Sequence, residues 1–430
     1  MNKIKGISPA VWVPTLYFAE GIPYFVVNNI STIMFKKMGM SNADMAFYTS
    51  LLYLPWLIKP FWSPFVDVLK TKRWWIVSMQ CLMALLFAGL TFSIPSETGS
   101  AVSLYKLSLV LFWITAFASA THDIAADGFY MLGLSEGNQS LFVGIRSTFF
   151  RLSNLFVQGG LVVLAGLVES STGDIPYSWK VTLGAVTGVW TALSLFHLFA
   201  LPKPDSDVRR TDTSPEGILR DLGKSFVTFF KKKEVWAGIV FMLLYRLPEA
   251  FALKIVPAFL VDGADEGGIA LSTTNYGLIN NTVGVIGILL GGILGGAWIS
   301  KHGLKKSLWL MAAALALPCA VYLYMSLVPG VPLWVVGSCI AVEQFGYGFG
   351  FSAYMLYMIH LSKGEFKTSH YAICTAFMAA SMMLPGLVAG VLEESMGYPL
   401  YFGFVMLTCI ATAVAVMAVR GRISEDFGKK

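Results

Sequence analysis

Ten ionisable side chains fall inside stretches of this chain that are otherwise apolar. Five are acids, Glu20, Asp123, Asp127, Glu249 and Glu343, and five are bases, Lys59, Arg146, Arg151, Arg246 and Lys254. At membrane depth a charge costs ~2.5–3.5 kcal/mol, so such residues are kept for binding, for ion transfer or for pairing with one another. Glu20 and Glu343 have no basic residue near them in sequence. A carboxyl group in apolar surroundings can exchange a proton near neutral pH, which makes these two candidate proton-coupling groups. A protonated or hydrogen-bonded packing role is the alternative. Asp123 and Glu249 join the proton-coupling candidates, each with a base within reach.

Spacing gives part of the geometry. Asp127 lies 10 residues before residue 137, the centre of a helical turn, and Arg146 lies 9 after it; Asp123 and Arg151 are each 14 away. On two antiparallel helices rising 1.5 Å per residue, equal offsets mean equal depth. Asp123 and Asp127 also share a face, four residues apart. Asp127–Arg146 and Asp123–Arg151 pairs are therefore expected. The pairs either lock one end of the bundle, the role assigned to Asp127 and Arg146, or leave Arg151 free for an anionic group, since its planar donor fork suits a carboxylate or a sulfate. Arg246 and Glu249 are three apart near the middle of another stretch, with Pro248 between them and Lys254 about two turns further on. A proline there breaks the helical hydrogen-bond ladder, and broken helices at mid-membrane accompany binding sites. Lys59, between Trp56 and Trp62, either binds ligand or extends its amine to the membrane surface. Tyr24, Asn28 and Asn29 follow Glu20, while Gln344, Tyr347, Tyr354 and Tyr357 follow Glu343. Rings for stacking and amides for hydrogen bonding are the mixture a sugar pocket needs. The candidate substrate-binding residues are thus Arg151, Arg246, Lys254, Lys59, Tyr24, Asn28, Gln344 and Tyr347.

The elements that must position these groups follow from composition. Apolar residues make up 56% of the 430 and charged residues only 13%, a surface suited to lipid and not to water. A span needs about 20 apolar residues. Twelve such stretches can be marked, near 10–34, 44–66, 74–95, 105–133, 141–168, 180–201, 234–260, 273–300, 307–327, 333–361, 368–395 and 398–419. The first is read as a retained helix, since no small-residue cleavage site follows the short basic start. With the N-terminus placed in the cytoplasm, Lys and Arg divide 22 inside to 4 outside, which sets both termini inside. That division also explains the net charge of +6 without any nucleic-acid partner. The longest polar connection, 202–233, separates an N-terminal bundle, 1–201, from a C-terminal bundle, 234–430. Within it, 216–233 reads as an amphipathic surface helix. Both halves place a Leu-Tyr near an acid in their first span, at Leu16-Tyr17 with Glu20 and at Leu244-Tyr245 with Glu249. Gly287, Gly291 and Gly295 recur every four residues, which lets another helix approach closely. The five cysteines are far apart and show no metal-ligand spacing. No phosphate-cradling or zinc-protease motif is present, so neither an ATP-driven pump nor an enzyme is expected. No cofactor is expected.

The order of spans and the loop after the second one resemble the major facilitator superfamily. The match is Pro64-Phe65-Val66-Asp67 followed by Lys70, Lys72 and Arg73; the family's loop glycines are absent. The resemblance implies an all-α membrane fold of two pseudo-symmetric six-helix bundles, with Asp67 and Arg73 as gating or structural charges. Leu54-Pro55-Trp56-Leu57-Ile58-Lys59-Pro60-Phe61-Trp62-Ser63-Pro64, Asp123-Ile124-Ala125-Ala126-Asp127-Gly128, Gly144-Ile145-Arg146 with Arg151, and Leu244-Tyr245-Arg246-Leu247-Pro248-Glu249 are similar to a narrower branch, the anhydromuropeptide permeases and the related acetyl-CoA transporters. Without an ATP-driven motif the energy is expected from an ion gradient, for which the membrane carboxylates suit protons; short loops and the lack of targeting signals favour a bacterial inner membrane, with a eukaryotic organelle as the alternative, and a monomer is expected. The branch's precedent implies a secondary transporter importing an acidic amino-sugar disaccharide or conjugate. A glycosaminoglycan-derived disaccharide would meet the same bases. Acetyl-CoA or nucleotide transport, and drug export, are the alternatives.

Overall fold

The computed structural model describes residues 8–429 apart from 135, 208–214 and 364–366, with the backbone alone at 67, 68, 136–141, 143, 144, 147, 215, 216, 218, 219, 221, 367 and 368. Among the described residues every regular element is helical. In the first part of the chain these are α1 (Pro9–Lys37), α2 (Asn42–Leu51), α3 (Leu54–Leu69), α4 (Lys72–Ser93), α5 (Lys106–Gly133), α6 (Glu136–Asn154), α7 (Val162–Thr172) and α8 (Ile175–Ala200). After the connection come α9 (Pro215–Phe230), α10 (Val235–Leu244), α11 (Leu247–Val261), α12 (Thr273–His302), α13 (Leu304–Leu327), α14 (Leu333–Leu361), α15 (Lys367–Leu407) and α16 (Cys409–Arg420).

Side-chain caps set several of the starts. Ser41 accepts from the Asp44 amide before α2, Thr71 from Trp74 before α4, and Asp174 from Tyr177 before α8, where Pro176 occupies the first turn. Eight helical lengths are long and apolar enough to cross a bilayer, the last of them 52 residues. That last length is two helices, because Gly397 leaves the helical region with φ 72°. Residues 42–69, 235–261 and 333–361 add three more rods, each interrupted or carrying polar side chains. Counting both arms around Gly397, twelve rods result, as the sequence leads one to expect. Large apolar side chains cover their outer faces: Phe92 is 86% and Phe199 80% exposed, a surface for lipid.

By internal packing the chain divides into two compact units, Met1–Met34 with Ile58–Asp221, and Phe35–Leu57 with Leu222–Lys430. In the first, Trp12, Tyr17, Ile76 and Phe129 are core residues. In the second, Phe241, Tyr245, Leu308, Tyr354 and Val416 are core residues, and α2 lies against α15. The close approach foreseen for the glycine-rich span is made by α12 to α14. A Cβ at Gly291 would come within 2.1 Å of the Phe345 carbonyl oxygen, and one at Gly348 within 2.2 Å of that of Ile288. Both helices therefore yield side-chain volume at the crossing. A helix is present over most of the stretch 216–233 as α9, which ends at Phe230.

Three spans contain a π-helical turn, at Val26–Ile30 in α1, at Leu155–Leu161 joining α6 to α7, and at Gly277–Val283 in α12. Such turns release backbone groups from the regular ladder and recur at functional positions. The first of them carries Asn28 and Asn29.

Candidate functional site

In the first unit the charges within the spans, Glu20 buried and the others half-buried, converge on one face of α5. Arg146 of α6 pairs with Asp127 at 2.7 Å, and the Tyr17 hydroxyl of α1 donates to the same carboxylate at 3.0 Å. The guanidinium of Arg146 lies over the rings of Tyr17 and Tyr130, 4.4 and 5.1 Å from their centroids, so its positive charge is held by aromatic faces as well as by the carboxylate. Asp123 bonds the ammonium of Lys59 on α3. The expected partner, Arg151, makes no ion pair among the described residues. Equal depth permitted an Asp123–Arg151 pair, but α3 brings a cation to the same carboxylate and takes the place. Glu20 is 7% exposed and near enough to Asp123 and Asp127 to feel their charge. Its Oε2 is buried without a hydrogen-bond partner. Three acids thus share this region with two paired bases, and one carboxyl oxygen remains unsatisfied.

A second polar network in this unit escaped the reading of the sequence. The Gln80 side chain on α4 sits between two imidazoles, 3.1 Å from Nε2 of His122 on α5 and 2.9 Å from Nδ1 of His197 on α8. His197 Nε2 is 3.1 Å from the Thr15 hydroxyl on α1. All four helices are joined through these groups, of which Gln80, His122 and His197 are buried. Attention to Lys, Arg, Asp and Glu passed over these histidines; the signal available was a Gln and two His inside apolar stretches.

In the second unit Pro248 ends the regular ladder. Helix α10 stops at Leu244, Tyr245 and Arg246 form a turn, and α11 begins at Leu247. The Thr412 hydroxyl donates to the Tyr245 carbonyl at 3.1 Å, giving it a partner outside the helix. Arg246 and Glu249 face each other across this break, with Nε to Oε2 at 3.1 Å and Nη2 to Oε1 at 3.4 Å. Arg246 also donates to the Tyr347 hydroxyl at 3.0 Å and lies over the rings of Tyr347, Phe351 and Tyr354. Arg246 is 4% and Glu249 0% exposed. Glu343 on α14 has no base; its Oε2 accepts from Tyr322 at 2.8 Å and from Gln344 at 2.6 Å. Lys254, 8% exposed, makes no ion pair among the described residues and lies 5.8 Å from the Tyr53 ring centroid. At the end of α11 a further cluster forms. Lys36 pairs with Asp262 at 2.7 Å, Tyr398 donates to Asp262, and Asn42 donates to Glu393 at 2.6 Å. The backbone N–H of Ala43 donates to Glu394 at 2.8 Å.

The model of the BT1 family matches residues 20–331. The chain belongs to the BT1 family. It is 22% identical over 422 residues to the anhydromuropeptide permease of Escherichia coli strain K12, covering 96% of this chain and 81% of that one. Among solved structures it is similar to a D-xylose–proton symporter, with a TM-score of 0.69, 13% identity and coverage of 97% and 98%. It is also similar to FucP, a major facilitator superfamily transporter, with a TM-score of 0.60, 15% identity and coverage of 97% and 99%. The fold is that of the major facilitator superfamily, and this BT1-family protein is a membrane transporter, not an enzyme.

In this BT1-family transporter the residues singled out from sequence separate by surroundings. Tyr24 packs its ring on Phe25 and Phe150, and Asn28 donates to the Tyr24 carbonyl while its Oδ1 is buried without a partner. Tyr347 and Gln344 are engaged by Arg246 and Glu343. Tyr354 and Tyr357 are core residues, and the Tyr354 hydroxyl donates to the Met242 carbonyl at 2.8 Å. Both rings are 0% exposed in the core of the second unit. Arg73 donates to the carbonyls of Leu201 and Leu198 at 3.1 and 2.6 Å, closing the end of α8. The side chain of Asp67 lies outside the described residues.

Proposed function

We propose that this transporter couples inward proton movement to the import of an acidic amino-sugar disaccharide or conjugate, by alternating access across a bacterial inner membrane. In this reading it works as a monomer of two six-helix bundles, 1–201 and 234–430, joined by 202–233, with both termini cytoplasmic. The observation that carries the reading is the imbalance of buried charge. Glu20 keeps an unpartnered oxygen beside two ion pairs in one unit, and Lys254 keeps an unpaired ammonium in the other. An isolated charge in a dry interior is expensive and is retained where a transported group compensates it. A proton answers the first need and an anion the second. The anhydromuropeptide specificity named for the Escherichia coli relative supports an acidic sugar. Tyr347, Gln344, Tyr24 and Asn28 supply the ring faces and amides such a ligand needs, and Arg246 is assigned to it as a donor for the state in which its pairing with Glu249 opens. Glu20 is assigned the proton, with Glu343, Asp123 and Glu249 as the other carboxyls of the coupling machinery; Lys59 and Arg151 are assigned to the ligand, and Asp127, Arg146, Arg73 and Asp67 to structure and gating.

The test is a thermal-stability screen of the purified full-length protein. Its panel is a GlcNAc–anhydromuramic disaccharide, a sulfated unsaturated disaccharide, a neutral disaccharide and acetyl-CoA. At 100 times its Kd a ligand adds about 2.7 kcal/mol. Stabilisation by an acidic disaccharide and not by the neutral one is expected. A shift with acetyl-CoA alone overturns the sugar assignment, and uptake indifferent to a proton uncoupler overturns the coupling.

A further inference from the structure

Within the second unit one buried cation is left over after its neighbours are paired. Arg246 is closed by Glu249, and Lys36 by Asp262. Lys254, on α11 and 8% exposed, has no carboxylate partner among the described residues. An ammonium taken out of water with nothing to balance it lowers stability. Such a group either gives up its proton or keeps its charge against a partner, and a bound anion is the partner that would hold it charged.

Beside it stands an equally unusual hydroxyl. Ser50 lies near the end of α2, 0% exposed, and its Oγ has no hydrogen-bond partner. Serines and threonines in helices ordinarily bond the carbonyl one turn back. Thr49, the preceding residue, does so with Met45 at 2.6 Å, and Ser31 does so with Val27 at 2.5 Å. Ser50 does not, although a buried hydroxyl without a partner is destabilising. The two groups border one point on α15. A Cβ built on Gly386 would lie 2.1 Å from Ser50 Oγ and 3.5 Å from Lys254 Cγ. Glycine at 386 is therefore what lets hydroxyl and lysine stem come together. The Tyr53 ring, 5.8 Å from the ammonium, lines the same place.

We infer that Lys254 and Ser50 form an anion subsite that takes a single carboxylate, the ammonium supplying the charge and the hydroxyl a hydrogen bond. A carboxylate brings one negative charge and spare acceptor lone pairs, which matches one cation and one unused donor. A phosphate monoester would need a second free base, and Arg246 is already engaged by Glu249. The inference deepens the reading that the cargo is an acid, resting on it for physiological meaning, and assigns the acid group its seat. It also ties the α2 segment to ligand: removing the anion leaves both partners buried and bare.

The experiment uses the full-length protein in detergent and acetate as the probe, titrated against chloride at constant ionic strength while thermal stability is followed. Saturable stabilisation by acetate is expected in the parent protein and in the control Lys305→Gln, whose lysine pairs with Glu425 elsewhere. Lys254→Gln abolishes it, and Ser50→Ala raises the half-saturating concentration at least fivefold. Ser50→Ala removes only an unbonded oxygen and so keeps the test open if Lys254→Gln folds poorly. Equal acetate responses in the parent and both variants overturn the subsite, as does a parent indifferent to acetate. An acetate response that depends on Lys254, together with no response to any acidic disaccharide, keeps the subsite and discards the sugar cargo.

Discussion

The two units handle buried charge in opposite ways. Around α5 in the first, acids outnumber their paired bases: Glu20, Asp123 and Asp127 face Lys59 and Arg146, and the oxygen left over belongs to Glu20. In the second, Arg246 and Glu249 close on each other, Glu343 is satisfied by two neutral donors, and the group left over is the ammonium of Lys254. The surroundings differ as well. The ion pairs of the first unit draw on three helices, α3, α5 and α6, with α1 adding the Tyr17 hydrogen bond, and they are partly exposed, with the Arg146 and Asp127 side chains 29% and 42% exposed. The Arg246–Glu249 pair spans three residues of one broken helix and is nearly dry. A partly exposed, multi-helix cluster can change its pairing when helices shift. A dry pair on a single element moves as a body. Under the proposed function, this contrast makes Glu20 of the first unit the leading site of charge exchange and leaves the second unit with a tighter pair and, among the described residues, one cation without a carboxylate partner.

The largest effect expected from this contrast is at Glu20. Replacing it by Gln keeps the shape and removes the exchangeable proton. Proton-driven accumulation in proteoliposomes should fall by about 100-fold, the scale of losing a positioned acid–base group. Exchange of labelled for unlabelled substrate, which needs no net proton movement, should continue. Loss of both activities together would assign Glu20 to folding or to substrate binding and erase the difference between the units.

The next effect is on stability. Arg246→Ala strands Glu249, 0% exposed, without its base. Breaking a buried pair on one side costs about 3–5 kcal/mol, read as a lowered Tm. Adding Glu249→Gln should restore most of the loss, because the two residues are directly coupled. If the single change is harmless, the pair is not the tight one described, and Arg246 becomes available to ligand.

How much of this was legible beforehand depended on distance along the chain. Asp127–Arg146 could be read because both lie near one turn, where offset equals depth. Lys59 could not be given to Asp123 by any spacing argument, since the two are 64 residues apart and on helices whose order around the bundle is set by packing. The same limit applies to Asn42 and Glu393, separated by 351 residues. The break at Pro248 was legible because proline acts on its own backbone, and the glycine repeat on α12 because small residues act on whatever approaches. The Gln80–His122–His197 network was missed because neutral polar groups leave no trace in a count of charge. Ser50 was missed because nothing in a sequence tells a bonded serine from an unbonded one. The span count came from lipid thickness alone, which is a constraint on every rod at once.

A smaller change sharpens the contrast where it is subtlest. Tyr17→Phe removes one hydrogen bond to Asp127 and leaves the Arg146 pair, and the ring beneath its guanidinium, in place. A net hydrogen bond contributes about 0.5–1.5 kcal/mol, so the Tm should fall slightly. If the first unit is the one whose pairing rearranges, the freer Asp127–Arg146 pair should change transport rate by more than that stability loss implies, and should do so under a proton gradient more than in exchange. Proportionate changes in both assays would mean that the cluster is as fixed as Arg246 and Glu249, and that its extra acid is balanced in place.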